Sequence, residues 1–129
     1  MFGRRVETWE KKLKKLFDEI DDELEERFGA MYDLHPARAK RGATSNKEQD
    51  GLFDIGASFS AGFGSERGRG YVVDVDMITL DRVPVDVQMH IEELVAEKIR
   101  EKLPKFFPGR ELKVKRDGTV FKIIGDLSL

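Results

Sequence analysis

The sequence predicts an α+β domain, with an α-β-β-α-β-β order that folds as a four-stranded, mainly antiparallel sheet carrying its helices on one face. Three observations carry this expectation. Two segments repeat apolar residues at steps of three and four, two others alternate apolar with small or polar residues, and an Asp-Gly pair separates two short apolar runs near the C-terminus.

The first helix is read over residues 4–28. Trp9, Leu13, Leu16, Phe17, Ile20, Leu24 and Phe28 form one stripe, and Gly29 is a natural stop. At 1.5 Å per residue such a helix is about 37 Å long, more than a small sheet requires. Its charges are divided. Residues 1–15 hold six Lys/Arg against two Glu, a net +4, and residues 16–29 hold seven acids against Arg27, a net −6. This opposes the helix dipole at both ends. An antiparallel second copy would set each half on its opposite, so Trp9, Leu13, Leu16, Ile20 and Leu24 are the residues expected to serve self-association, and a homodimer is the expected partner state.

Residues 33–50 show no apolar period, contain Pro36 and are rich in small polar residues, which predicts a flexible linker or loop. The remaining chain, 51–129, is read as a ββαββ core within one domain spanning 1–129. Phe53, Ile55, Ala57, Phe59, Ala61 and Phe63 alternate with Asp54, Gly56, Ser58, Ser60 and Gly62, and after GSERGRG a second strand runs through Tyr71, Val73, Val75 and Met77. Pro84 opens the second helix, whose stripe is Val87, Ile91, Leu94, Val95, Ile99 and Leu103. With Asp117–Gly118 as a two-residue turn, Val114 is expected opposite Phe121 and Leu112 opposite Ile123, all on one apolar face.

Composition narrows the function classes. The chain has 129 residues, 23 Lys+Arg against 25 Asp+Glu and a net charge of −2, which lacks the basic excess of a dedicated nucleic-acid binder. Without cysteine, thiolate nucleophiles, disulfides and Cys-based zinc sites are excluded. No apolar run reaches the roughly 18–20 residues of a membrane span, and the first residues lack a signal-peptide stretch, so a cytoplasmic protein with no membrane contact is expected.

Three functional readings follow, and the first is preferred: a non-enzymatic, self-associating protein–protein interaction domain with no cofactor. The second is a nucleic-acid-binding module. The glycine-rich GFGSERGRG turn offers backbone N–H groups to anions, and Arg67, Arg69, Arg38, Lys40 and Arg41 supply phosphate-pairing cations. The turn leads into a strand, so neither the P-loop nor the dinucleotide fingerprint applies. The third is a metal-dependent phosphodiesterase or ligand site on the open sheet face. Asp54, Asp74 and Asp76 would hold Mg²⁺ there, joined by the acid-x-Lys element Glu111-Leu112-Lys113, with Lys115 and Lys122 on the same side. Acid-x-Lys also occurs at Glu10-Lys11-Lys12, so the triplet is weak. His90, Glu93, Glu97 and Glu101 share one exposed stripe of the second helix without matching ligands elsewhere. Gly56, Ser58, Ser60 and Gly62 leave a strip of the sheet without bulk, where another backbone could approach.

Overall fold

A computed structural model describes residues 2–127, with side chains from residue 8 onward. Helix α1 spans Phe2–Phe28 and is followed, after a loop with a short 3₁₀ turn at Lys47–Gln49, by strands β1 (Phe53–Ser60) and β2 (Gly70–Met77). Helix α2 (Val85–Phe106) leads to β3 (Leu112–Asp117) and β4 (Val120–Gly125). The four strands form one antiparallel sheet in the order β1-β2-β4-β3. The α+β class and element order are those the sequence predicts.

One side of the sheet is apolar because the period-two residues match across the register. Ile55 pairs with Val75, Tyr71 with Ile123 and Val114 with Ile123, so one face collects Phe53, Ile55, Val73, Val75, Val114 and Ile123. The α1 and α2 stripes close over it, burying Leu16, Ile20 and Leu24 from one helix and Ile91, Val95 and Ile99 from the other. Trp9 and Leu13 join the same core. The five side chains expected at a self-association surface are therefore spent inside their own domain, because a single sheet face of this width needs the full α1 stripe to cover it.

Three local expectations change. The last hairpin turns at Gly118–Thr119 rather than Asp117–Gly118, with Asp117 paired to Val120 and Arg116 to Phe121. Only Gly118 needs a left-handed backbone (φ +64°). A shift of two preserves the parity of every side chain, so the apolar face survives the wrong partners. Strand β1 ends at Ser60, and Phe59 and Phe63 are 56% and 97% exposed instead of continuing the core.

The third change is the segment 33–50, which is a hydrogen-bonded loop rather than a solvated linker. The Arg38 guanidinium donates to the carbonyls of Gly51, Asp50 and Phe53 at 3.1–3.2 Å, and also to that of Glu48. Buried Asp50 accepts from the backbone of Gly42 and Thr44 and from the Thr44 hydroxyl. Arg41 reaches Asp50, Asp21 and Asp22 at 2.6–3.1 Å, tying the loop to α1. Polar groups do the anchoring, so no apolar period announces it.

Candidate functional site

The charge division of α1 has an internal explanation. Asp22 pairs with Arg41 and Lys47 of the loop, Glu19 and Glu23 with Lys98 and Lys102 of α2, and Asp18 with Lys14. Asp22 and Glu23 are each held below the usual carboxylate range by the hydrogen bonds these cations donate, against the opposing effect of burial. The acidic half therefore meets its cations within the monomer.

The residues of the nucleic-acid reading are not gathered. Arg38 and Arg41 are committed to the loop, Lys40 is exposed nearby, and Arg67 and Arg69 are exposed on the β1–β2 turn. That turn does present backbone N–H groups to an anion, and the anion is the protein's own: Asp117 accepts from the amides of Glu66 (3.2 Å) and Arg67 (3.1 Å) and from Lys122 Nζ (2.8 Å). Lys122 also donates to Ser65 Oγ and the Gly68 carbonyl, which folds the turn over the outer sheet face. Expected on solvent, Lys122 is buried beneath it.

The carboxylates of the phosphodiesterase reading are only partly together. Asp54 and Asp76 are directly paired across β1 and β2, with Asp74 opposite Gly56. Burial raises Asp54 and Asp74 above the ordinary carboxylate range, and the neighbouring acids add to it. Glu111 and Lys113 lie elsewhere. Strand β4 separates β3 from β2, placing Lys113 about 10 Å across the sheet and about 13 Å along it from the level of Asp74. Among the described residues, no three His, Asp or Glu side chains converge as metal ligands. The His90–Glu101 stripe stays unassembled for the same reason.

What the fold does assemble is an open strand edge. Both outer strands of the sheet are edges, but they are treated differently. On β3 the Val114 carbonyl accepts from Arg100 (3.0 Å) and the Arg116 carbonyl from Arg67 (3.3 Å), and Lys113 and Lys115 add charge. On β1 only the Phe53 end is closed. Its N–H donates to Glu25 (2.8 Å) and its carbonyl accepts from Arg38 (3.1 Å), so Phe53 turns both backbone groups outward from the sheet. Gly51 (φ +74°) lets Glu25 in, since a Cβ there would collide with its carboxylate.

By strand alternation Ile55, Ala57 and Phe59 also point their N–H and C=O groups outward; Ile55 is fully buried, so the open part of the edge is Ala57 and Phe59, whose groups meet no partner among the described residues. Beside this edge, α1 and β1 enclose a groove of about 390 Å³. Leu13, Phe17, Ala57, Phe59 and Tyr71 give it an apolar lining, with Glu10, Lys14 and Glu48 on its rim. Phe59 stacks edge-on against Tyr71 at 5.6 Å between ring centres, and Tyr71 lies 5.9 Å from Trp9, so a chain of aromatic contacts links the exposed ring to the buried tryptophan. Sequence reasoning flagged the small residues of this strand but not its edge position, which depends on strand order.

A family described as "Uncharacterised protein" matches residues 4–125. The chain belongs to that family. A relative from Borreliella burgdorferi, itself described as "Uncharacterized protein", is 40% identical over 107 residues, covering 83% of this chain and 84% of the relative. No solved structure matches the chain.

Proposed function

We propose that this member of the family is a non-enzymatic protein–protein interaction domain of the cytoplasm, which receives a partner strand on the β1 edge. One observation carries the reading: two successive outward-facing residues, Ala57 and Phe59, leave their backbone groups unpaired beside an apolar groove, while the opposite edge is guarded by arginines. Strand addition uses such an edge for affinity through main-chain hydrogen bonds, and uses the adjoining pocket for side-chain selection. Exposed unpaired edges otherwise invite aggregation, so their retention needs a use. For the membrane question, no helix among the described residues is long and apolar enough to cross a bilayer.

The test is amide-resolved NMR of the folded chain titrated with extended, β-forming apolar peptides and, separately, with increasing concentrations of itself. Binding should slow exchange at the Ala57 and Phe59 amides and be lost in Phe59→Asp. If these two amides stay fast under every condition, the reading fails.

A further inference from the structure

Resting on the docking role proposed above, we infer that the strand received beside β1 is an acidic one, whose apolar side chains enter the groove while its carboxylates meet Lys11 and Lys15 of α1. The two halves of α1 are treated differently by the fold. In the acidic half, Asp18, Glu19, Asp22 and Glu23 all reach lysines or arginines of the same chain. In the basic half, Lys14 reaches Asp18 at 2.8 Å and Glu48 at 3.0 Å. Lys11 and Lys15 are exposed and form no ion pair among the described residues. Lys12, also exposed, turns instead over the Phe107 ring at the end of α2. A positive strip is thus left without a counter-charge.

That strip borders the docking groove. Lys11 and Lys15 line a surface hollow of about 430 Å³, whose wall is completed by Glu10 and Lys14. Glu10 and Lys14 also line the groove beside β1, so the two concavities share one wall. Glu10 is the acid of that wall, outnumbered by the three lysines. In a strand pair, side chains of directly opposed residues stand on the same face of the sheet. An added strand opposite Ala57 and Phe59 therefore turns those side chains toward Leu13, Phe17 and Tyr71. Carboxylates beside them on that face lie along α1, in the field of Lys11 and Lys15.

The open edge is too short to select a partner by itself. Ala57 and Phe59 offer one N–H and one C=O each, so the main-chain ladder is brief. Opposite charge on the incoming strand adds steering and specificity, and the same strip repels a basic one. A peptide is favoured over a nucleic acid because the edge alternates donors with carbonyl acceptors. Those carbonyls need N–H groups opposite them, which a peptide backbone carries and a phosphate backbone lacks.

Three extended peptides with one apolar, β-forming core, flanked by Glu, Gln or Lys, test this on the intact chain. By fluorescence anisotropy at low salt, the Glu-flanked peptide should bind about tenfold more tightly than the Gln-flanked one, with the Lys-flanked one weakest. These differences should vanish at about 1 M salt, where screening acts within about 3 Å. Lys11→Glu combined with Lys15→Glu should reverse the order, and the reversal itself shows that the variant folds. Should that variant misfold, the wild-type order and its loss at high salt decide. Equal affinities for the three peptides, or an order that the folded double variant leaves unchanged, overturn the acidic partner. In those cases, slowed exchange of the Ala57 and Phe59 amides with any peptide leaves the docking role standing. Fast exchange there with every peptide ends both. A single-stranded oligonucleotide that binds more tightly than the Glu-flanked peptide, and is lost in the double variant, overturns the peptide in favour of a nucleic acid.

Discussion

Asp117 and Lys122 meet at 2.8 Å on the sheet face turned away from the helices, both almost wholly buried, and the glycine-rich turn closes over them. This pair corrects a sequence-level expectation. As the first residue of an Asp-Gly turn, Asp117 would be replaceable by Asn, because both suit that turn. As the last residue of β3 it instead supplies a carboxylate to Lys122 and to two backbone amides. Asp117→Asn should therefore lower the urea midpoint clearly and speed amide exchange at Glu66 and Arg67. Adding Lys122→Met should recover part of the loss, because the buried ammonium left without its carboxylate is then gone. Equal midpoints for wild type and Asp117→Asn would contradict this role.

The same pair makes an acid-stability prediction. The hydrogen bond from Lys122, aided by the Arg67 and Glu66 amides, holds the Asp117 carboxyl at about 2, below its ordinary value of 3.8. A group depressed in the folded state contributes stability that is fully present above its unfolded pKa and lost as pH falls through the folded one. The gap in stability between wild type and Asp117→Asn should be constant above about pH 5 and narrow from about pH 4 to pH 2. Urea titrations at stepped pH measure it.

The loop 33–50 is expected to resist exchange for polar reasons. Arg38→Ala removes donors from four carbonyls clustered around the start of β1. A loss of about 2–3 kcal/mol is expected, in line with charge-assisted hydrogen bonds. Limited proteolysis should then cut between Ala39 and Lys47 faster than in the wild type. Unchanged cleavage would mean that the arginine is incidental to the loop.

In the core, Leu16→Ala and Ile20→Ala should each lower stability by about 2–5 kcal/mol, as fully buried aliphatic side chains do. Self-association of whatever fraction remains folded should be unaffected, since neither side chain reaches the surface. Selective loss of association at unchanged stability would instead restore the first helix stripe as an interface.

These outcomes mark where the sequence was legible. Apolar period identified both helices and all four strands, because burial of one face is what fixes their spacing, and parity kept Val114 and Ile123 on the right face even with the turn misplaced. The reading stopped where polar groups act over long separations. Nothing local to Arg38, Arg41 or Lys122 distinguishes a solvated cation from one satisfied by distant carbonyls or acids. Nor does the β1 alternation say that β1 lies at an edge, which follows from the β3–β4 hairpin joining the sheet at β2 and not at β1. The candidate site depends on that placement, so it was visible only as an unexplained run of small residues.

The last prediction concerns Asp21, buried on α1 beside Arg41. Burial is the main cause that lifts its carboxyl to about 7, with Glu25 and Asp22 adding to the rise and Arg41, 2.7 Å away, opposing it. The neighbourhood is crowded with acid: Asp22 and Asp50 share the same guanidinium. Between the unfolded value of 3.8 and the folded value of about 7, the folded state holds a proton that the unfolded state has released. Stability from this group therefore falls as pH rises across that window and levels off above it, the opposite sign to Asp117. Asp21→Asn keeps the shape and removes the titration. Relative to that variant, the wild type should lose stability from about pH 4 to pH 7 and show no further change by about pH 9. Arg41→Met should remove the cation that offsets burial and push the Asp21 pKa higher, moving the window upward. A wild type whose stability parallels Asp21→Asn at every pH would mean that Arg41 holds the buried carboxylate ionised throughout.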